Sequence, residues 1–334
     1  MGIKIGINGL GRIGRMALKI AASHPKLEVV AVNDPQDMAV MAHLLNYDSI
    51  HGRPDCKITM GDGALVIDGA PVAFTSEKNP DALDWGKYGA QIVLECSGLF
   101  KDRDGASKHL MAGAGKVIIS APAKNPDVTL VLGVNSSKYD PKTHHIISNA
   151  SCTTNCLAPL AKVLHENFGI RHGLMTTVHS YTGDQRLMDS PHKDLRRARA
   201  AGLSMIPTTT GAAQAVELVL PELAGKMAGL AIRVPTPNVS IVDFVAHVEQ
   251  DGLTDSDINA AFQEAADGAL AGVLGCCHEP LVSSDFNGSP LSSIIDMPST
   301  NVLGNLVKTL SWYDNETGYS SRMVDLACMV GELL

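Results

Sequence analysis

Near the start of the chain, three glycines follow an alternating apolar segment without a gap. Residues 3–8 alternate as a strand does, and Gly9, Gly11 and Gly14 then occur in the spacing Gly-x-Gly-x-x-Gly. A helical stretch and a second strand pattern come next, over residues 15–33. In this order the first glycine allows a tight turn, the second lets the backbone approach a pyrophosphate, and the third lets helix and strand pack closely. The pattern therefore predicts a dinucleotide-binding unit.

An acidic residue closes the second strand pattern. Asp34 lies about 20 residues after Gly14, where a carboxylate can accept hydrogen bonds from ribose hydroxyls, and the pyrophosphate would rest on the helix N-terminus. Ser97-Gly98 and Ser120 end two later strand patterns, at the edge where such sheets bind ligands, although they could equally be ordinary turn residues. The residues that we expect to bind the cofactor in this half are Asn8, Gly9, Gly11, Arg12, Ile13, Gly14, Asp34, Ser97, Gly98 and Ser120.

The length of the chain, 334 residues, exceeds one ordinary core and predicts two domains. Strand and helix patterns alternate over residues 1–150, which predicts an α/β Rossmann domain with a doubly wound sheet. Over residues 151–318 the strand patterns outnumber the helices, which predicts an α+β catalytic domain with a mixed or antiparallel sheet. The apolar helix at 319–334 is expected to complete the first domain. The expected strands are 65–74 (with a turn at Asp68-Gly69), 91–96, 116–120, 128–132, 173–181, 230–234, 239–249 and 306–313, and the expected helices are 37–45, 104–112, 211–220 and 255–268.

The second half opens on a cysteine-containing stretch, residues 148–159. It follows an apolar run and begins a helix that we expect to reach Phe168, so Cys152 should lie on the first helical turn. Unpaired backbone N–H groups and the positive end of the helix dipole stabilise a thiolate there, and the thiolate is the nucleophilic form. Cys152 is the candidate nucleophile. Cys156, one helical turn further, is expected to be a buried neighbour.

A cysteine nucleophile needs a base. Of the 12 histidines, His179 closes a strand at the sheet edge, where it could hold the thiolate as an ion pair and later exchange a proton with a substrate oxygen. A thiolate and a nicotinamide together indicate oxidation of an aldehyde through a thiohemiacetal to a thioester. Water would then release an acid, and phosphate an acyl phosphate. Thr210-Gly211 before a helix, Arg197 and Arg233 could bind phosphate, or could be a helix cap and surface charges.

Composition limits the partners of the chain. The net charge is -8, which argues against nucleic-acid binding through bulk charge. The chain enters a strand pattern at once, without an apolar run long enough for a signal peptide or a spanning helix, so no membrane association is expected. Its seven cysteines are scattered and odd in number, which favours a reducing cytoplasm, and they do not form a zinc-binding pattern. The arginine-containing segment 182–204 is too long and polar for a simple turn, and such loops are usually functional.

Four motifs together resemble phosphorylating glyceraldehyde-3-phosphate dehydrogenases over nearly the whole chain: residues 7–15, 148–159, 233–240 and 312–320. The resemblance implies that Cys152 is the nucleophile and His179 the base. It implies a substrate-phosphate site at Thr182, Asp184 and Arg233, and a second phosphate site at Ser151, Arg197, Thr210 and Gly211, with Thr153 among the substrate-binding residues. It also implies that Asn315 binds the nicotinamide carboxamide, that Tyr319 backs the ring, and that the chain forms a homotetramer in which the arginine loop contacts a neighbour's cofactor site.

Two positions depart from the pattern of many NAD-dependent members of that family. Pro35 and Ser190 stand where those members often carry leucine, and members that accept NADP tend to have a small polar residue, as Ser190 is, at the second of these positions. Asp34 favours NAD because its charge would repel a 2′-phosphate, so we expect NAD preference with residual NADP use. Two alternatives remain at this stage: a sister enzyme that oxidises erythrose 4-phosphate and hydrolyses the thioester, and a redox-sensing or binding role through Cys152.

Overall fold

The computed structural model describes residues 2–334, which form two compact units. The first unit comprises the residues up to Leu130, Ser137–Ala150 and Tyr319–Leu334, and the second comprises Val131–Ser136 and Ser151–Gly318. Residues 131–136, which we expected in the first domain, thus belong to the second unit.

The strands and helices follow in chain order. The strands are β1 (Ile3–Asn8), β2 (Leu27–Asn33), β3 (Ile58–Gly61), β4 (Ala64–Ile67), β5 (Ala70–Thr75), β6 (Ile92–Glu95), β7 (Lys116–Ile119), β8 (Val128–Thr129), β9 (Ile146–Ser148), β10 (Ile170–Ser180), β11 (Ile206–Thr208), β12 (Met227–Val234), β13 (Ser240–Val248), β14 (Leu274–Cys277), β15 (Ser293–Asp296), β16 (Asn301–Leu303) and β17 (Leu306–Tyr313). The α-helices are α1 (Arg12–Ala22), α2 (Met38–Asn46), α3 (Trp85–Tyr88), α4 (Arg103–Met111), α5 (Cys152–Phe168), α6 (Ala212–Val219), α7 (Asp255–Asp267) and α8 (Thr317–Gly331).

The first unit contains the doubly wound sheet. Its strand order is β3-β4-β5-β2-β1-β6-β7-β9-β8, and all neighbours are parallel except β3, β4 and β5, which pair antiparallel with one another. The chain winds outward from β1 in one direction through β2 and then in the other through β6. The carboxyl ends of β1 and β6 therefore form the switch point at which such sheets bind ligands. The predicted Rossmann architecture is confirmed.

The second unit contains the mixed sheet that the sequence predicts. Its order is β11-β12-β10-β13-β17-β15-β14, with β16 added to β17. The pairs β10/β12 and β14/β15 are parallel, whereas β10/β13 and β13/β17 are antiparallel. Helix α5 packs against α6, α7 and strands β10, β13, β15 and β17. Because α5 is fixed by this sheet, its first residue is held at one position relative to the strand ends.

Several elements differ from the predicted ones. Helix α1 begins at Arg12, not at residue 15, because Gly11 is its N-cap and the second half of the glycine motif is already helical. Strand β8 has two residues where five were expected. Six strands, β3, β9, β11, β14, β15 and β16, and helix α3 were not predicted as such, because at three or four residues they are too short to show a periodic pattern.

The C-terminal helix belongs to the first unit from Tyr319 onward. A Cβ atom placed on Gly331 would lie 2.5 Å from Ile3 Cγ2, so only glycine allows α8 this close to β1. The seven cysteines are free thiols. Within residues 2–334, every helix is too short or too polar to span a bilayer.

Candidate active site

The glycine motif forms one wall of a groove in the first unit. Gly9 has φ +89, and a Cβ on Gly14 would lie 1.9 Å from the Gly9 carbonyl oxygen, so both positions require glycine. A Cβ on Gly11 would instead project into open space. Gly11 lines a groove of about 290 Å³ together with Asn8, Gly9, Asp34 and Ser97. This is the space that a pyrophosphate needs at the N-terminus of α1, so the residues fit a dinucleotide.

Asp34 presents a carboxylate to the same groove. Its Oδ2 accepts from the Leu10 backbone N–H (2.7 Å) and its Oδ1 from the Gln36 N–H (2.9 Å). Each carboxylate oxygen has a second lone pair, so the group can still accept two hydrogen bonds from a vicinal diol. A 2′-phosphate would place negative charge against this carboxylate. The geometry therefore suits the ribose of NAD.

Four further predicted cofactor residues, Arg12, Ile13, Gly98 and Ser120, lie at the start of α1 or shortly after β6 and β7. Arg12 Nη1 forms an ion pair with Asp48 Oδ2 at 2.6 Å. Burial would raise the pKa of Asp48, but this hydrogen bond and two backbone amides outweigh it and hold that pKa far below its usual range. Ile13 lies in α1 beside Arg12. Gly98 follows β6 and has φ +72. Ser120 directly follows β7, and its backbone N–H donates to the carbonyl of Glu95, the last residue of β6.

In the second unit, Cys152 is the first residue of α5. Ser151 is the N-cap, and its Oγ accepts from the Thr154 N–H at 3.0 Å. The predicted placement of Cys152 on the first turn is confirmed. Cys156, one turn later, is fully buried, with Sγ 3.5 Å from Ser311 Oγ, and burial raises its pKa to about 12.

His179 lies beside the candidate nucleophile. Its Nε2 is 3.6 Å from Cys152 Sγ. Strands β10 and β12 place His179 directly opposite Arg233, whose Nη1 lies 2.9 Å from His179 Nδ1 and donates to the Ser180 carbonyl at 3.0 Å. His179 Nδ1 is also 2.7 Å from that carbonyl. With the proton on Nδ1, both groups donate to the Ser180 oxygen and the Nε2 lone pair faces the thiol, which is the arrangement of a general base.

Burial opposes a charge on either member of this pair alone. It raises the pKa of Cys152, against which Arg233, the Thr153 side chain and backbone amides act. Burial and then Arg233 lower the pKa of His179 to about 3. A thiolate and an imidazolium formed together attract by about 4 kcal/mol at 4 Å and an effective dielectric constant of about 20. That is about three pKa units, so the two groups titrate as a pair.

A buried tyrosine, Tyr313, which the sequence analysis did not single out, packs against His179 and binds the residue next to Cys152. Tyr313 OH lies 2.9 Å from Thr153 Oγ1 and 2.8 Å from Thr177 Oγ1. Its ring stands edge-on to His179, with ring centroids 6.0 Å apart. Thr153, expected among the substrate-binding residues, therefore has its hydroxyl engaged inside the unit. The only sequence signal for Tyr313 was its position at the end of a predicted strand, because its contact with Thr153 joins residues that are 160 positions apart.

The predicted phosphate-binding residues fall into two groups. Thr182 lies 3.5 Å from Arg233, beside His179. Arg197 instead pairs with Asp184 at 2.6 Å, so Asp184 orients this arginine. Arg197 also donates through Nε to Thr208 Oγ1 (3.0 Å) and through Nη2 to the Thr209 carbonyl (3.2 Å), which leaves two of its five N–H donors.

Thr210 and Gly211 lie at the N-terminus of α6. Thr210 Oγ1 accepts from the Ala212 N–H at 3.2 Å, and Gly211 is the N-cap. Thr210 therefore caps the helix, which is the structural role that the sequence left open, while the remaining N-terminal amides can still face an anion.

The last two predicted cofactor residues are held by specific hydrogen bonds. Ser240 Oγ donates to Asn315 Oδ1 at 2.9 Å, which fixes the orientation of the Asn315 amide. Tyr319 OH donates to the Ala150 carbonyl at 2.9 Å. Ala150 has φ +53, an unfavourable conformation for alanine, two residues before Cys152. The Tyr319 hydroxyl thus helps to hold a strained backbone next to the nucleophile.

A dinucleotide groove in one unit and a thiol–imidazole pair with adjacent arginines in the other are the parts of a nicotinamide-dependent dehydrogenase that acts through a covalent thioester. Comparison with known proteins specifies the family. The family model for "Glyceraldehyde 3-phosphate dehydrogenase, NAD binding domain" matches residues 3–103, and the one for the C-terminal domain matches residues 151–315. The chain therefore belongs to the glyceraldehyde-3-phosphate dehydrogenase family and is an NAD-dependent oxidoreductase.

Similarity to individual relatives extends over the whole chain. A glyceraldehyde-3-phosphate dehydrogenase of Geobacillus stearothermophilus is 61% identical over 99% of this chain and 98% of the relative. One from Bacillus subtilis (strain 168) is 57% identical over 99% of both chains. One from Streptomyces coelicolor is 53% identical over 100% of both.

Proposed function

We propose that the chain catalyses the NAD-dependent oxidation of D-glyceraldehyde 3-phosphate, with inorganic phosphate, to 1,3-bisphosphoglycerate. One observation carries the proposal: Cys152 Sγ lies 3.6 Å from His179 Nε2, and the guanidinium of Arg233 lies on the other side of the same ring. This arrangement brings together a nucleophile at the start of α5 and a base and an anion-binding group on the neighbouring strands β10 and β12. It is the combination that oxidation of a phosphorylated aldehyde requires.

In the proposed reaction, Cys152 Sγ attacks the aldehyde carbon while His179 Nε2 takes the thiol proton. His179 returns this proton to the oxygen, which gives a thiohemiacetal on Cys152. A bound NAD, held in the groove that Gly9, Gly11 and Asp34 line, would supply the acceptor for the hydride of the thiohemiacetal carbon. As the hydride leaves, His179 removes the hydroxyl proton, and a thioester remains on Cys152. Attack by an oxygen of inorganic phosphate on the thioester carbon releases the acyl phosphate and restores the thiolate.

Two anion sites are assigned within this reaction. Thr182 and Arg233, with Asp184 acting through Arg197, are proposed to bind the substrate phosphate. Ser151, Arg197, Thr210 and Gly211 are proposed to bind the attacking phosphate, supported by the two remaining Arg197 donors and the N-terminus of α6. Thr153 is proposed to act on the nucleophile, since its side chain lowers the pKa of Cys152.

The cofactor assignments follow the groove. Asn8, Gly9, Gly11, Gly14, Asp34, Ser97, Gly98 and Ser120 are proposed to form the dinucleotide site, with Arg12 and Ile13 at the start of α1. Asn315 and Tyr319 are proposed to contact the nicotinamide end. The orientation of the Asn315 amide supports this role, because Oδ1 is already used by Ser240 and Nδ2 can donate to a carboxamide oxygen.

Phosphate dependence tests the reaction. Purified protein would be mixed with glyceraldehyde 3-phosphate and NAD, with and without inorganic phosphate, and the reduced nicotinamide formed would be followed by its absorbance. We expect steady turnover only with phosphate. Full turnover without phosphate, or a preference for erythrose 4-phosphate, would favour the hydrolysing sister enzyme. Cys152→Ser should abolish turnover and leave NAD binding intact.

A homotetramer is proposed for the assembled protein. Large apolar side chains are exposed on or beside the arginine loop: Leu187 (85%), Met188 (71%), Leu195 (82%), Leu203 (82%) and Met205 (75%). Such a cluster fits burial against another copy. Light scattering should give about four times the mass of the 35.2 kDa chain. Leu195→Asp should lower this mass. The free thiols support a cytoplasmic location, which we also propose.

A further inference from the structure

A buried carboxylate stands behind the wall of the dinucleotide groove, at the end of β6. The Glu95 side chain is 1% exposed. A buried anion is costly unless hydrogen bonds offset its desolvation. Glu95 accepts from Asn8 Nδ2 (2.6 Å), His109 Nε2 (2.9 Å), the Ser97 backbone N–H (2.7 Å) and the Ser97 hydroxyl. Two of these residues, Asn8 and Ser97, line the groove.

The proton positions in this Glu95 network (Trp85, His109, Glu95, Asn8 and Ser97) follow from the types of group. The Trp85 indole N–H can only donate, and it lies 3.1 Å from His109 Nδ1. Nδ1 therefore accepts, and Nε2 carries the proton that His109 donates to Glu95. A carboxylate can only accept, so the N–H and O–H of Ser97 both point inward to Glu95.

The inward direction of these protons decides what the groove offers at Ser97. The Leu99 N–H donates to Ser97 Oγ at 3.1 Å, so one hydroxyl lone pair is used as well. What remains at Ser97 is its carbonyl oxygen and one lone pair, and both are acceptors. A phosphate, which only accepts, finds no donor there. Ribose hydroxyls and amino N–H groups, which donate, do find partners.

Asn8 is oriented by the same network. Its Nδ2 donates to Glu95 and its Oδ1 accepts from Asn33 Nδ2 at 2.8 Å. Asn33 also donates to the Glu77 carbonyl (2.9 Å) and accepts from the Glu77 N–H (2.9 Å) and Thr75 Oγ1 (2.8 Å), so all four positions of its amide are used. Asn33 lines the groove but braces Asn8 instead of offering a hydrogen bond to a ligand.

We propose that Glu95 is a positioning residue for the cofactor: by holding both donors of Ser97 it makes the groove wall present acceptors at Ser97, and it fixes the orientation of the Asn8 amide beside the glycine loop. The dinucleotide is then seated in one register, with its phosphates on the glycine loop and its donor groups at Ser97. This inference rests on the proposed cofactor site. It assigns a role to a residue that does not touch the ligand.

Replacement of the carboxylate by an amide tests the network. In Glu95→Gln, one end of the side chain becomes an NH₂ group that faces two donors, either those of Ser97 or those of Asn8 and His109. We expect the Kd for NAD, measured by titration calorimetry, to rise about tenfold or more, while kcat at saturating NAD stays unchanged. The double variant Trp85→Phe/Glu95→Gln should recover part of the affinity. Without the indole N–H, His109 can move its proton to Nδ1 and accept from the new amide.

A second pair of variants decides the question if Glu95→Gln fails to fold. His109→Gln retains an N–H for Glu95 and should keep the Kd for NAD close to that of the unmodified protein, whereas His109→Leu removes it and should raise the Kd. Asp127→Asn is the matched control. Asp127 is a carboxylate of the same unit that accepts from the backbone N–H groups of His145 (2.8 Å) and Ile146 (2.7 Å), so this change should lower thermal stability without a change in Kd.

Equal NAD affinity in Glu95→Gln, His109→Leu and Asp127→Asn would overturn the positioning role. A separate variant tests whether the dinucleotide binds in this groove at all. Gly11→Val would place a side chain in the groove, and unchanged NAD binding in that variant would show that the dinucleotide binds elsewhere.

Discussion

His179 Nδ1 lies 2.9 Å from Arg233 Nη1, because the two residues are direct neighbours in the parallel strands β10 and β12. The proximity of a permanent cation to the ring disfavours a proton on His179, and the same cation favours the thiolate of Cys152. The group that we propose to bind the substrate phosphate therefore acts, together with burial, on the protonation of Cys152 and His179.

Removal of this cation should shift the pH dependence. Arg233 lowers the pKa of His179 and that of Cys152, so Arg233→Gln should move the inflections of the kcat/KM profile to higher pH. The KM for glyceraldehyde 3-phosphate should rise as well. The measurement is kcat/KM from about pH 5 to 10 at saturating NAD. Arg199→Gln removes an arginine that pairs with Asp189 at the surface, and it should leave the profile in place. Unchanged inflections in Arg233→Gln would refute the coupling.

Removal of the imidazole should make the thiol harder to ionise. Burial raises the pKa of Cys152, against which Arg233, the Thr153 side chain and backbone amides act, and an imidazolium formed 3.6 Å away would add a further opposing charge. In His179→Gln, the rate of alkylation of Cys152 by iodoacetamide should therefore reach its midpoint at higher pH. Mass spectrometry of the peptide that contains Cys152 separates this reaction from that of the other thiols, with Cys152→Ser as the blank. If the midpoint is the same in His179→Gln and in the unmodified protein, Cys152 and His179 do not form an ion pair.

The buried tyrosine should matter for stability. Tyr313→Phe leaves the hydroxyls of Thr153 and Thr177 without their shared partner, which should cost about 1–3 kcal/mol of the free energy of unfolding. Urea denaturation measures this cost. Tyr47→Phe, at an exposed position, should change the midpoint little. If the two variants unfold at the same urea concentration, the Tyr313 hydroxyl has no such role.

The carboxylate of Asp34 should decide the choice of cofactor. Unmodified protein is expected to have a higher kcat/KM with NAD than with NADP. Asp34→Asn removes the charge that would repel a 2′-phosphate, so its kcat/KM should fall with NAD and rise with NADP. Ser190→Leu tests the loop position and should reduce the residual NADP activity. A clear preference of the unmodified protein for NADP would contradict the dominance of Asp34.

Local signals in the sequence were enough to predict the fold class and several candidate site residues. The glycine spacing, the acid after β2 and Cys152 at the start of α5 are each defined within a few residues, because turns, helix caps and strand periodicity are short-range properties. These signals were sufficient to predict the Rossmann unit, the mixed sheet and the position of Cys152 at the start of α5. Short elements such as α3 and β14 gave no periodic signal and appeared only in the structure.

The tertiary structure decided which side chains act together. The register of β10 with β12 brings Arg233 to His179, and Tyr313 reaches Thr153 from a strand that is 160 positions away. Glu95 was not singled out from the sequence, because its hydrogen bond with Asn8 joins residues that are 87 positions apart. Strand pairing and packing over long sequence separations fix these contacts, and hydrogen-bond directions inside the protein then depend on every partner at once.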